Sequence, residues 1–174
     1  GTGLLPLVAL CAFVTMCAGA YVSSSGAGLA CLGVPGCGPT FFGEGVPQAL
    51  QMTHRILAGT LVLFAIAAAV LHPGRLVRST RALRVALILL ALQITLGVLN
   101  VLWLLPTALR EAHAANAVAV FLAFVTATVL ASLEGSLPLD VLAAKNEARN
   151  ALQNKRDAAQ DGEDDREILQ PIET

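Results

Sequence analysis

The sequence predicts an all-α fold, a polytopic membrane four-helix bundle with a disordered C-terminal tail, on three observations. Of 174 residues, 56% are hydrophobic and only 13% charged, and the mean hydropathy is +0.72, far from the balance of a soluble domain. Uncharged stretches run over residues 4–22, 56–71, 85–109 and 112–133, and a bilayer core takes about 20 helical residues. Beyond residue 133 the composition changes abruptly: ten acidic and five basic residues give the last 41 a formal charge of −5, against +4 for the rest. Such a segment has little apolar surface to bury. A short helix around residues 141–155 is the only order expected in it.

The first stretch resembles a signal peptide in length, but it lacks a basic leading region and is read as helix 1, over about 4–22. Cys11 and Cys17 point to different faces of that helix and suit small apolar packing roles. The second stretch is short. The uncharged residues 46–53 extend it, so helix 2 is expected over about 48–71, with His54 and Arg55 inside it. Helices 3 and 4 are expected over 85–105 and 111–133.

The link "HPGRLVRSTRALR" carries Arg75, Arg78, Arg81 and Arg84, while the loop before helix 2 has no basic residue until Arg55. Excess arginine marks the cytoplasmic side. Both termini are then cytoplasmic, loops 23–50 and 105–111 face outward, and residues 1–133 form a membrane unit ahead of a cytoplasmic polar tail, 134–174. A prokaryotic plasma membrane is the expected location and the lipid bilayer the first partner. Nothing in this pattern suits nucleic acid.

The outward loop contains "GLACLGVPGC". A six-residue separation in a Gly/Pro-rich loop lets Cys31 and Cys37 close a small ring, and an oxidising exterior favours the bond. Two unpaired thiols are the alternative; a closed zinc site would need two more ligands.

Histidine is costly inside a membrane and tends to mark function there. His54 and His113 stand near the outer starts of helices 2 and 4, at similar depth, whereas His72 lies beside Pro73 in the basic link and reads as an interfacial residue. Two neutral imidazoles facing each other across a bundle can ligate iron held in a flat macrocycle. Ala58 and Gly59 after His54, and Ala112, Ala114, Ala115 and Ala117 around His113, leave room for a porphyrin. Gln93, Gly97 and Asn100 form one stripe on helix 3, which suits either helix packing or a place beside the histidine layer. Arg55 and Arg110 could pair with haem propionates or with lipid phosphate. The competing reading of both histidines is that water or headgroups satisfy them.

With these residues in this order, the chain resembles the heme A synthase family, whose members look like a duplicated four-helix unit with a histidine on the second and fourth helix of each. The resemblance covers about residues 5–133, one unit's worth. It rests on "GAYVSSSGAGLACLGVPGC", "HRILAG", "QITLG" and the Pro106 to His113 opening of helix 4. It implies haem ligation by His54 and His113, a disulfide-capable pair in Cys31 and Cys37, and oxidation of a heme O methyl to the formyl of heme A for terminal oxidases. It also implies haem, heme b or heme O, as cofactor, and a heme O synthase or the terminal oxidase assembly as partner.

The departures matter. The family's substrate-handling half carries an acidic residue three positions before the helix-2 histidine, where this chain has Gln51. Ser23 replaces the loop's arginine, and "LGVPG" replaces "PDWPL". Gln51 shares a face with His54 but cannot act as a carboxylate base. Glu44 and Glu111 are the remaining outer carboxylates, and Glu111 stands nearer a histidine. The expectation is therefore a membrane oxidoreductase working as a homo-oligomer that restores the family's two haem sites, with Glu111 and Gln51 as candidate catalytic groups. The alternatives are a b-type haem protein that carries electrons or supports oxidase assembly, and a haem-free structural subunit.

Overall fold

Charge does not stop a helix where it stops a membrane span, and this sets where the elements begin. The computed structural model describes residues 2–38, 40–74, 76–136 and 139–168; Arg75 of the basic link lies outside them. Its helices are α1 (Leu5–Ser24), α2 (Val46–Leu71), α3 (Val77–Leu102), α4 (Thr107–Gly135) and α5 (Leu139–Ile168), with short 3-10 turns at Thr2–Leu4 and Ala27–Leu29. The first four are long and apolar enough to cross a membrane. The chain is an all-helical integral membrane protein.

Pro6 and Pro47 lie in the opening turns of α1 and α2, where a missing N–H costs nothing and the fixed φ favours the helix. α3 starts eight residues before the uncharged stretch does, because Arg78, Arg81 and Arg84 are good helix formers. Its first turn has no capping side chain of its own. Glu134 at the far end of α4 supplies one, accepting from the Arg78 and Ser79 amides at 2.9 Å each, where a carboxylate meets the positive end of the helix dipole.

α1 and α2 pack most closely, α3 and α4 are joined through side-chain hydrogen bonds, and Phe13 of α1 meets Phe121 of α4 with ring centroids 5.6 Å apart. The buried apolar cluster includes Leu5, Val8, Leu61, Ala65, Leu83, Leu90, Phe124 and Ala131. These residues come from the first half of α1 and α3 and the second half of α2 and α4, so the cluster fills one end of the bundle. It stops short of both His54 and His113, which stand toward the other end.

At the filled end, fully buried Ser79 donates to the Ala127 carbonyl at 3.1 Å and takes Nε2–H of His72 at 3.1 Å. The sequence marks His72 as interfacial; it is in addition a cross-link between the α2–α3 turn and, through Ser79, α4. Burial holds the His72 imidazole below its ordinary value, against the opposing pull of Glu134. Below about pH 6.5 the unfolded chain therefore takes a proton that the folded one resists, and stability is lost as pH falls toward the lower folded value. The apparent Tm of detergent-solubilised protein is expected to fall over that window, and His72→Gln to flatten the fall. Glu134→Ala is expected to cost about 1 kcal/mol by removing the cap, read in the same melts.

The chain divides into two compact units, Gly1–Glu134 and Gly135–Thr174. In the second, α5 extends well past the 141–155 segment expected from sequence, with exposed side chains at 143–157 and an i, i+4 hydrogen bond from Gln153 to Asp157 at 2.8 Å. Alanine, glutamate, lysine and arginine there favour a helix without any packed face.

Candidate functional site

α2 and α4 both start at the end where the core cluster is absent, and each carries its histidine within about two turns of its start. The two imidazoles lie within electrostatic reach of each other. Each ring edge sits where a neighbouring helix has no side chain. A Cβ on Gly19 of α1 would stand 2.9 Å from Cε1 of His54, and one on Gly97 of α3 would stand 3.2 Å from Cε1 of His113. Larger residues at either place would push the ring away.

The hydrogen bonds reuse the same four-residue spacing one helix pair on, but through opposite ring nitrogens. Nδ1 of His54 is 3.2 Å from the carbonyl of Thr15, four residues before Gly19. Because a carbonyl only accepts, Nδ1 carries the proton and the Nε2 lone pair is free. Nε2 of His113 is 3.2 Å from the amide nitrogen of Gln93, four residues before Gly97. Gln93 is held in turn by Asn116, which donates to Gln93 Oε1 at 2.8 Å and to the Leu89 carbonyl at 3.0 Å. Nδ1 of His113 is buried with no hydrogen-bond partner at close range, although the Gln93 backbone acts favourably on the ring.

The loop between α1 and α2 crosses this end. A Cβ on Gly28 would press on Leu105 at 2.7 Å, so the loop reaches the α3–α4 turn. Leu104 and Leu105 hold that turn at φ 59° and 60°, a left-handed geometry that costs non-glycine residues about 1 kcal/mol each, and Leu105 N–H ties back to the Asn100 carbonyl at 2.7 Å. Cys31 and Cys37 form a disulfide with Cα atoms 4.5 Å apart. Arg55 donates into the ring they close: Nη1 to the carbonyls of Gly33 at 2.6 Å, Pro35 at 3.1 Å and Gly36 at 3.1 Å, and Nη2 to Cys31 at 2.9 Å.

Gln51 is buried, and both ends of its amide go to the same loop. Its Oε1 accepts from the Cys31 amide at 2.6 Å, and its Nε2 donates to the Gly28 carbonyl at 2.9 Å. Gln51 and Arg55 thus flank His54 in sequence while holding the loop with their side chains. A glutamate at position 51 could keep the first bond but would set an acceptor against the Gly28 carbonyl. Gln51→Glu is expected to lower stability by about 1–3 kcal/mol and to speed reduction and labelling of the cysteine pair; an unchanged melt and labelling rate would refute that account.

The remaining candidates are exposed or hydrogen-bonded elsewhere. Arg110 and Glu111 form an exposed pair at 3.9 Å, their side chains 50% and 71% exposed, an arrangement worth little in water. Glu44 is exposed in the loop. Asn100 is buried and donates to the Leu109 carbonyl at 3.3 Å, leaving its Oδ1 without a partner. Among the described residues no group of three or more His, Cys, Asp or Glu side chains that could hold a metal ion stands together. Sequence reasoning missed Thr15, Gly19 and Asn116. The signal for the first two was present: Thr15 and Gly19 repeat the i, i+4 spacing of Gln93 and Gly97.

A family model described as cytochrome oxidase assembly protein, COX15-CtaA, matches residues 2–125. No curated protein matches the chain.

Proposed function

Since the chain belongs to the COX15-CtaA family of cytochrome oxidase assembly proteins, the family of the heme A synthases, we propose that it is a heme A synthase-like membrane oxidoreductase, with His54 and His113 as the axial ligands of one haem. The observation that carries this is the histidine pair: two imidazoles on helices that start at the unfilled end of the bundle, each seated on a glycine. Two imidazoles suit haem iron, whose remaining donors the macrocycle would supply. His54 offers an open Nε2 in the right tautomer, and Nε2 of His113 meets only the side-chain amide of Gln93. Bound there, haem supplies a one-electron couple.

The chain's own residues do the rest. The Thr15 carbonyl and Gly19 fix the His54 ring; Gly97, Gln93 and Asn116 fix that of His113. The disulfide-closed loop, held by Gln51 and Arg55, covers the site against water. In this reading the loop faces outward, residues 134–174 are cytoplasmic and the membrane is a prokaryotic plasma membrane. Arg110 and Asn100 lie at the same end, where Arg110, paired with Glu111 only at 3.9 Å, would meet a propionate. The substrate reading is oxidation of the heme O methyl, with Glu111 as the proton-accepting carboxylate. Because Glu111 is exposed beside Arg110 and not turned to its own histidine layer, it would act across a homo-oligomer contact, next to a heme O source and the oxidase under assembly.

The second reading is a b-type haem protein that carries electrons or supports oxidase assembly without oxidising haem. Gln51 favours it, since the position that is acidic in the substrate-handling half of the family carries here an amide spent on the loop. Expression in cells that make heme O but lack their own heme A synthase separates the two, with extracted haem identified by mass. Heme A from the unmutated chain and none from Glu111→Gln, with haem still bound, supports the enzyme. Absence of heme A from both hands the function to the electron carrier.

A further inference from the structure

We infer that Gln93 is a reversible cover on the iron-binding nitrogen of His113, so that His54 is the standing ligand and His113 the exchangeable one. This rests on the haem reading above and adds an asymmetry to it. The proton assignments follow from which atoms can only accept or only donate. The Leu89 carbonyl accepts from Asn116 Nδ2 at 3.0 Å, which fixes the way the Asn116 amide faces. The same nitrogen donates to Gln93 Oε1 at 2.8 Å, and this turns the amide nitrogen of Gln93 toward His113. An amide nitrogen has no lone pair to give, so His113 Nε2 accepts at 3.2 Å and its proton sits on Nδ1, the buried nitrogen without a partner.

Both histidines are then in the Nδ1–H tautomer, the form that presents Nε2 to a metal. They differ in what meets that lone pair. His54 hydrogen-bonds only through Nδ1, to a backbone carbonyl that α1 cannot move without unwinding. At His113 an amide side chain occupies the lone pair, and the hydrogen bond from Asn116 holds it in place. A ligand nitrogen that must first shed a hydrogen bond binds more weakly by the strength of that bond. Such a site retains a haem through His54 while letting His113 yield, which suits a haem that enters, is changed or handed on, and leaves. Asn116 is a positioning residue in this scheme, acting through Gln93.

The test uses the full chain in detergent, purified haem-free from haem-deficient cells and titrated with ferric protoporphyrin IX. Gln93→Leu is expected to tighten binding about fivefold, the ratio one ordinary hydrogen bond contributes, and to convert a residual high-spin fraction at saturation to low spin. Asn116→Leu should move both readouts the same way, and its effect should vanish in a Gln93→Leu background. Independently of haem, the ring nitrogens of His113 in ¹⁵N spectra of the haem-free protein should report the Nδ1–H tautomer, with Nε2 shifting in Gln93→Leu. An Nε2–H tautomer at His113 overturns the proposal whatever the haem data show. So does weaker or unchanged haem binding by a Gln93→Leu protein that melts like the unmutated chain, since that is the behaviour of a residue that supports the ligand and does not cover it. If the unmutated chain takes up no haem, the function proposed above fails and this inference with it.

Discussion

Haem content is expected to fall to background in His54→Ala and to a weakly held remnant in His113→Ala, when each is expressed in full-length form and purified without added haem. His54 hydrogen-bonds through Nδ1 and leaves Nε2 open, so under the proposed ligation its loss removes the standing ligand. His113→Ala removes the ligand that Gln93 already competes with, and its spectrum is expected to lose the low-spin bis-imidazole form without complete loss of haem. Gly19→Val gives the matching control. It keeps both imidazoles but places a β-branched side chain where even a bare Cβ would be 2.9 Å from the His54 ring, and it should also lower haem retention. If both alanine variants keep the haem content and spectrum of the parent chain, ligation by this pair is wrong.

The four spans were legible because hydropathy reports which residues tolerate lipid, and lipid faces most of each helix. Helix starts were not legible in the same way. Residues 77–84 of α3 are helical although charged, since arginine favours the helix while disfavouring the membrane. The histidine layer was readable from depth alone: both residues follow the starts of helices that run in the same direction. What each ring touches was not, because Thr15 and His54 are 39 residues apart, and no local rule joins them. Gln51 shows the limit of position on a helix face. It lies on the His54 side of α2, which suggested a role beside the ring, yet its amide is claimed by the backbone of the loop. A buried amide goes where unpaired peptide groups are, and a Gly-rich loop with only a single 3-10 turn supplies them. Arg55 follows the same logic with a charge in place of a dipole. The propionate role read from its place beside His54 competes with four carbonyls already in contact.

Arg55→Ala should therefore disturb the loop before it disturbs anything else. A guanidinium near the end of a membrane span has lost part of its water and needs acceptors in exchange. The carbonyls of Cys31, Gly33, Pro35 and Gly36 provide them, and all four lie within the ring that the Cys31–Cys37 disulfide closes. The dependence runs both ways: the ring holds the carbonyls in place, and the guanidinium gathers carbonyls that would otherwise turn apart. Hydrogen bonds to a charged group contribute about 1.5–3 kcal/mol each when buried. Since two of these four are exposed, a total near 3 kcal/mol is the expected cost of Arg55→Ala, seen as a lower melting temperature. Labelling of Cys31 and Cys37 at limiting reductant should also be faster. Arg55→Lys should recover only a minor part, because a single ammonium cannot donate along both the Nη1 and Nη2 directions. Opening the ring with Cys37→Ser should cost less in an Arg55→Ala background than in the parent, by the coupling that a double-mutant cycle measures. Additive losses, or labelling rates that do not respond to Arg55, would mean that the guanidinium and the ring stabilise the loop independently.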